Sequence, residues 1–171
     1  EMVDIYLNGD LLLDDFAFRA ATPFIDAPAN TELEIGVAPY TSTSNEDIIA
    51  TIPVTLMAGE TYVALANGVL NASDFSENPD GRDIGFTLFA KDMVRESGLG
   101  TDVDFFAVHG ATDAPAVDVI ARGVTTLVEN AAYGDITDYI SVPAASYTLD
   151  ITPAEDNETI VATFEANLSG L

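Results

Sequence analysis

The chain has 171 residues, of which 29 are acidic and five basic, for a formal net charge of -24; it has no cysteine and no tryptophan, and 48% of its residues are apolar. Without cysteine there is no disulfide frame, thiolate nucleophile or thiolate metal site. Nucleic acid is an unsuitable partner, because phosphate needs a lysine or arginine patch that this composition does not supply. No apolar run reaches the roughly 18 residues of a membrane helix, no basic and then apolar leader is visible at the start, and a fold of this length buries about 70% of its unfolded surface.

In chain order, period-two alternation and turn residues predict strands rather than helices. The expected strands are Val3 to Leu7, Glu32 to Ala38, Ile48 to Leu56, Thr61 to Ala66, Ile84 to Ala90, Val103 to Val108, Val117 to Ala121, Tyr147 to Thr152 and Ile160 to Leu168. Turn signals separate them, among them Leu7-Asn8-Gly9-Asp10, Ala58-Gly59-Glu60 and Asn78-Pro79-Asp80-Gly81. Ile48, Ala50, Ile52, Val54 and Leu56 share one face, as do Ile160, Ala162, Phe164, Ala166 and Leu168. Pro53 stands on the outward face of its strand, which suits an edge or a bulge. Lys91 to Ser97 is the one stretch that could turn helically, and the glycines at 98 and 100 make it a connector.

The chain repeats itself. Val3-Asp4-Ile5 recurs as Val117-Asp118-Val119 and Gly9 as Gly123 at an offset of 114. Phe18 matches Tyr133 and Pro28 matches Pro143 at 115, Pro39 matches Pro153 at 114, and Ile48 to Thr51 matches Ile160 to Thr163 at 112. The offset drifts where polar residues cluster, as loop insertions require. Many short strands in two copies point to an all-β fold of tandem Ig-like or Greek-key antiparallel β-sandwiches with little or no helix.

Two stretches carry a family resemblance. The first has His109, Asp113, Ala114, Pro115, Val117, Asp118 and Val119; the second has Tyr139, Val142, Pro143, Ala144, Tyr147, Ile151 and Pro153. Together they resemble the DUF4397 family over 103 to 168, and more weakly over 3 to 90. The resemblance implies an extracellular or envelope β-sandwich, often in tandem, with no catalytic activity established for the family. On this reading residues 1–100 are a first repeat lacking its N-terminal strand and 101–171 a second lacking its C-terminal strands. Either the incomplete copies complement one another, within a chain or between chains, by strand addition, or the domain boundaries differ from the repeat boundaries or a larger protein was trimmed.

Candidate chemistry is sparse. His109 is the only histidine, so a zinc site lacks ligands; no serine stands in a nucleophile elbow. His109, Asp113, Pro115 and Asp118 therefore read as a structural motif, with the imidazole bonding a carboxylate such as Asp113 or Asp118, or a backbone carbonyl. Paired carboxylates for glycoside hydrolysis exist at Asp14-Asp15 and Asp102 with Asp104, but 29 acids make such pairs by chance, and there is no tryptophan platform for sugar. Calcium is the remaining cofactor to weigh, with Asp74, Asn78, Asp80 and Asp83 as candidate oxygen ligands, although the loop fails the EF-hand pattern. A second acidic loop, 155 to 158, reads as a solvated tip, and sequons stand at Asn71, Asn157 and Asn167.

The expected protein is therefore a non-enzymatic extracellular or cell-surface module that serves as structural, adhesion or filament-assembly unit. Its expected partners are copies of itself, neighbouring repeats or surface glycans, with no nucleic acid and no membrane insertion. The alternative is a calcium-dependent or carbohydrate-binding module.

Overall fold

The computed structural model describes residues 2–154 and 156–169. The glutamate at 155, within the expected acidic tip, lies outside the described residues.

Among the described residues twelve strands follow in chain order: β1 (Met2–Leu7), β2 (Asp10–Ala17), β3 (Glu32–Pro39), β4 (Ala50–Thr55), β5 (Val63–Asn67), β6 (Thr87–Lys91), β7 (Val103–Phe105), β8 (Val117–Ala121), β9 (Thr125–Ala131), β10 (Ile140–Val142), β11 (Ser146–Pro153) and β12 (Ala162–Asn167). Short 3-10 turns at Asn45–Asp47 and Ala72–Asp74 are the helical elements among the described residues. Every strand pairing with a residue register is antiparallel. The fold is all-β, as the alternation predicts.

The chain divides into two compact units. The first comprises 1–63 and Asp92–Val94, and the second Ala64–Lys91 and 95–171. The structural division thus differs from a cut at residue 100, because β5 and β6 fold with the second copy.

Each unit is built on one four-stranded sheet, and the two sheets have the same plan. In the first unit the order is β2-β1-β3-β4; in the second it is β9-β8-β11-β12, reading equivalent strands in the same direction. The duplication read from the sequence is therefore a duplication of a sheet. The second unit adds two two-stranded sheets, β5-β6 and β10-β7.

The equivalence extends to a defect. Between Val3 and Ile5 of β1, the partner strand advances from Phe16 to Leu13, one residue too many; between Val117 and Val119 of β8 it advances from Ala131 to Val128. A second extra residue follows one step later in both hairpins. These are β-bulges, which free an amide from the ladder. The freed amides go to buried carboxylates: Asp15 N–H donates to Asp4 Oδ1 at 2.9 Å, and Asn130 N–H to Asp118 Oδ1 at 2.6 Å. Asp15 and Asn130 share a φ of +53°, a left-handed conformation that Asp and Asn tolerate better than other side chains. The turn before the bulge needs glycine for the same steric reason, at Gly9 (φ +85°) and Gly123 (φ +73°).

The core of the first unit gathers Tyr6, Leu33, Val37 and Ala38, and that of the second includes Ile84, Ala121, Val128, Ala131, Tyr133 and Val142, all buried. β4 and β12 form sheet edges. Pro53 lies exposed on edge strand β4, where its missing N–H breaks no ladder that continues beyond it. The inward face of β12 is more open than its pattern predicts, with Phe164 59% exposed.

Removing the buried carboxylate of β8 leaves the Asn130 amide without its acceptor. Asp118→Ala is expected to lower the stability of the second unit by about 1–3 kcal/mol, read from the shift of its urea unfolding midpoint. Asp118→Asn keeps an acceptor oxygen and is expected to cost less; Asp4→Ala acts in the same direction in the first unit.

Candidate functional site

Residues 106–116 form the crossing from β7 to β8. Val108 makes an isolated antiparallel bridge to Ile136. His109 N–H donates to the Asp135 carbonyl at 3.1 Å and its carbonyl accepts from Gly134 N–H at 2.8 Å. The ring stands edge-on to Tyr133 at 6.5 Å, and Nε2 lies 3.1 Å from the Pro115 carbonyl. A carbonyl only accepts, so Nε2 carries the proton. Among the described residues, Nδ1 is the one buried side-chain nitrogen or oxygen with no partner.

His109 thus bonds a backbone carbonyl rather than either aspartate. Asp113 is exposed, and Asp118 is engaged with Asn130. Pro115 supplies the carbonyl. The hydrogen bond of the imidazole closes the 109–115 loop.

The acidic loop from 71 to 83 is held by the same crossing. Asn78, 4% exposed, donates from Nδ2 to the carbonyls of Thr112 and Ala114, both at 3.1 Å. Its Oδ1 accepts from the amides of Asp80 and Arg82. Asp80 Oδ2 accepts from Ala116 N–H at 2.6 Å, and Asp83 Oδ1 from Gly85 N–H at 2.8 Å. Asp74 sits apart, capped by the Asn71 carboxamide at 2.8 Å. The structure therefore brings Asn78 and Asp80 to one seam and leaves Asp74 and Asp83 in local turns. Among the described residues the carboxylates that do converge are Asp4, Asp14 and Asp15, with ligand atoms within 4.8 Å of one another. Asp4 in that group already accepts from Asp15 N–H and from the Ser42 hydroxyl at 2.6 Å.

Two charged constellations escape sequence reasoning. Arg122 forks onto Asp150, with Nε to Oδ2 at 2.7 Å and Nη2 to Oδ1 at 2.6 Å, and Thr163 donates to the same carboxylate at 2.7 Å. Asp104, read above as half of a carboxylate pair, accepts from Arg95 at 3.0 Å and from the Ser141 hydroxyl. Arg95 lies 3.7 Å over the Tyr139 ring. The repeat itself holds the signal for the first: at offset 114, Asn8 and Gly36 stand where Arg122 and Asp150 stand. In the first unit that place is a hollow of about 250 Å³ lined by Asn8, Gly36, Asn45 and Thr51 among others. It is the space that the ion pair fills in the second unit.

These partners fix the direction of several titrations. The hydrogen bond from Arg122, then that from Thr163, holds the Asp150 carboxyl below its ordinary range. The Ser141 hydroxyl and then the Leu99 amide do the same for Asp104, and the Ser42 hydroxyl followed by the Asp15 amide for Asp4.

Residues 105–169 match the family model described as "Domain of unknown function (DUF4397)". No curated protein and no solved structure matches the chain.

A carboxyl whose folded pKa lies below its unfolded value stabilises the fold above the unfolded value, about 3.9 for Asp, and loses that contribution as pH falls through the folded one. The melting temperature in 0.5 M salt, which screens the general charge repulsion, is accordingly expected to fall between about pH 5 and pH 3. Asp150→Asn should melt lower than the parent at pH 7 and should show a shallower acid dependence; an unchanged slope would count against the Arg122–Asp150 account. The stretch from the end of β7 through β12, with His109 in its first connection, is thus the part of the chain that the DUF4397 family model matches.

Proposed function

We propose that the chain is a non-enzymatic, extracellular or cell-surface repeat module that acts as a structural, adhesion or filament-assembly unit through strand complementation between copies. The observation that carries this reading is the same four-stranded sheet, with the same bulge and buried carboxylate, built twice from a duplicated sequence. Repetition of a rigid unit is what a spacer or fibre needs, whereas one reaction needs one site.

The side chains support it. His109, Asn78, Asp80, Asp104 and Asp118 each hold backbone or a neighbouring side chain, which is the work of architecture. The acidic surface, at a net charge of -24, repels like surfaces at long range and leaves specific edges as the places of contact. Strand addition supplies affinity through backbone hydrogen bonds and so does not depend on charge.

Multi-angle light scattering and negative-stain microscopy of the full chain, from micromolar to millimolar concentration in physiological salt, test the assembly. Concentration-dependent oligomers or fibres are expected; a mass that stays monomeric across that range would exclude association of copies. A melting temperature that is the same in millimolar calcium and in chelator is expected as well, since a ligand that binds only the folded state must raise it. A rise of several degrees with calcium would favour the ligand-binding alternative.

A further inference from the structure

We propose that the uncovered end of the first sheet receives, by strand addition, a partner segment with the repeat sequence of residues 64–116. The inference rests on the assembly reading above and names its contact.

Phe16 and Ala17 close β2 and Phe18 follows it. Phe16, Ala17 and Phe18 stand 115 positions before Ala131, Ala132 and Tyr133. The latter three are all buried, with Tyr133 2% exposed, whereas Phe18 is 76% exposed. The connections that follow differ in the same sense. Every residue from 18 to 31 is exposed, while the equivalent connection in the second unit contains β10 and buries Val142. Phe24 and Ile25, 48% and 55% exposed, stand 115 positions before Tyr139 and Ile140. In the second unit Tyr139 meets Phe106 edge-on at 5.7 Å, and Ile140 pairs with Phe105 of β7.

The covering of the second unit shows what chemistry fits. Phe89 of β6 packs edge-on against Tyr133 at 5.5 Å, and the Tyr133 hydroxyl donates to the Asn67 side chain at 3.1 Å. β7 supplies the strand that pairs with β10. All of these groups come from 64–91 and 95–116. In the first unit the aromatic and aliphatic side chains of the seat are present and, among the described residues, none covers Phe18, Phe24 or Ile25, which stand as a set of large apolar groups in water. A β7-like strand would pair with the backbone of residues 25–27, and a ring placed like Phe89 would sit on Phe18.

The test uses the full chain and a synthetic peptide of residues 64–116. Light scattering is expected to show a 1:1 complex, and hydrogen exchange to show amides between 16 and 31 slowed about tenfold or more. Phe18→Asp, with unchanged melting because the side chain is exposed, should abolish the complex; Phe24→Asp should do the same if the first variant folds poorly. Phe75→Asp, which alters another exposed aromatic (56%), should leave the complex intact. The proposal is overturned by any of four results: no complex at millimolar peptide, a complex that survives both Phe18→Asp and Phe24→Asp, slowed exchange confined to β8 and β9, or a peptide-free dimer that Phe18→Asp dissolves. The last would mean that two copies close face to face. A peptide complex without polymers would retire the assembly reading and keep this contact; polymers without a peptide complex would do the reverse.

Discussion

Everything in each unit hangs on a carboxylate buried inside a β-sheet. An unpaired buried charge is costly, so Asp4 and Asp118 are tolerable only where a donor that the sheet cannot satisfy comes to meet them. The bulge supplies that donor, since an extra residue on β2 or β9 carries an amide with no place in the ladder. Each defect cancels the other. The carboxylate also acts on register: sliding β2 by one residue would strand both groups and turn its apolar side chains to the other face. The pairing of β1 with β2, and of β8 with β9, is thereby fixed, and with it the direction in which the chain leaves toward Phe18 or Tyr133.

On that common frame the two copies diverge at neighbouring positions. In the second, Arg122 and Asp150 fill the sheet surface with a forked ion pair that Thr163 completes. In the first, Asn8 and Gly36 leave a hollow, and Ile48 leans over the glycine so closely that a Cβ there would lie 2.6 Å from its Cδ1. A charged pair and an isoleucine over glycine are two answers to the same packing problem, and they cannot be mixed. An aspartate at 36 would be buried without the arginine, with the penalty of an unpaired ion. The two sheets thus differ by coupled residues at 8 and 36 against 122 and 150, while the bulge and its buried carboxylate are the same in both.

Much of the fold was legible because alternation is a local signal. β1, β3, β8 and β11 stand within a residue or so of their expected places. β2 and β9 were missed for a physical reason: the bulges insert residues near Asp14 and Glu129 and break the period of two that a pattern search requires. β10 has three residues and exists only because β7 lies beside it, which no local pattern can show. For His109 the sequence leaves the partner open between a carboxylate and a backbone carbonyl, since a carbonyl looks the same at every position of a sequence; the structure gives the Pro115 carbonyl. The repeat gave the strongest signal and also the main displacement of a boundary. A period specifies how often a pattern recurs but not where a domain begins, so Ala64–Lys91 follows the first sheet in the chain and folds with the second.

The scarcity of positive charge shows how tightly that folding is specified. Of five basic residues, three belong to the segments that cover the second sheet, and each reaches the connection between β9 and β11. Arg82 pairs with Asp135 at 3.3 Å, Lys91 approaches Asp138 at 4.0 Å, and Arg95 lies on the face of Tyr139. The first contact is exposed on both sides and the second on its carboxylate side, so each contributes little to stability individually. Their value is in selection: in a chain where nearly every charge is negative, a segment that brings cations to an acidic seam is favoured over one that does not. In the first unit the positions equivalent to Asp135 and Asp138 are Ala20 and Pro23, and those equivalent to Tyr133 and Tyr139 are Phe18 and Phe24. That seat has an alanine and a proline where the second has its two aspartates, keeps its rings, and holds Arg19 and Asp26 as its charges. A segment that fits it is selected chiefly by strand pairing and aromatic packing, with electrostatics holding unmatched acidic surfaces away.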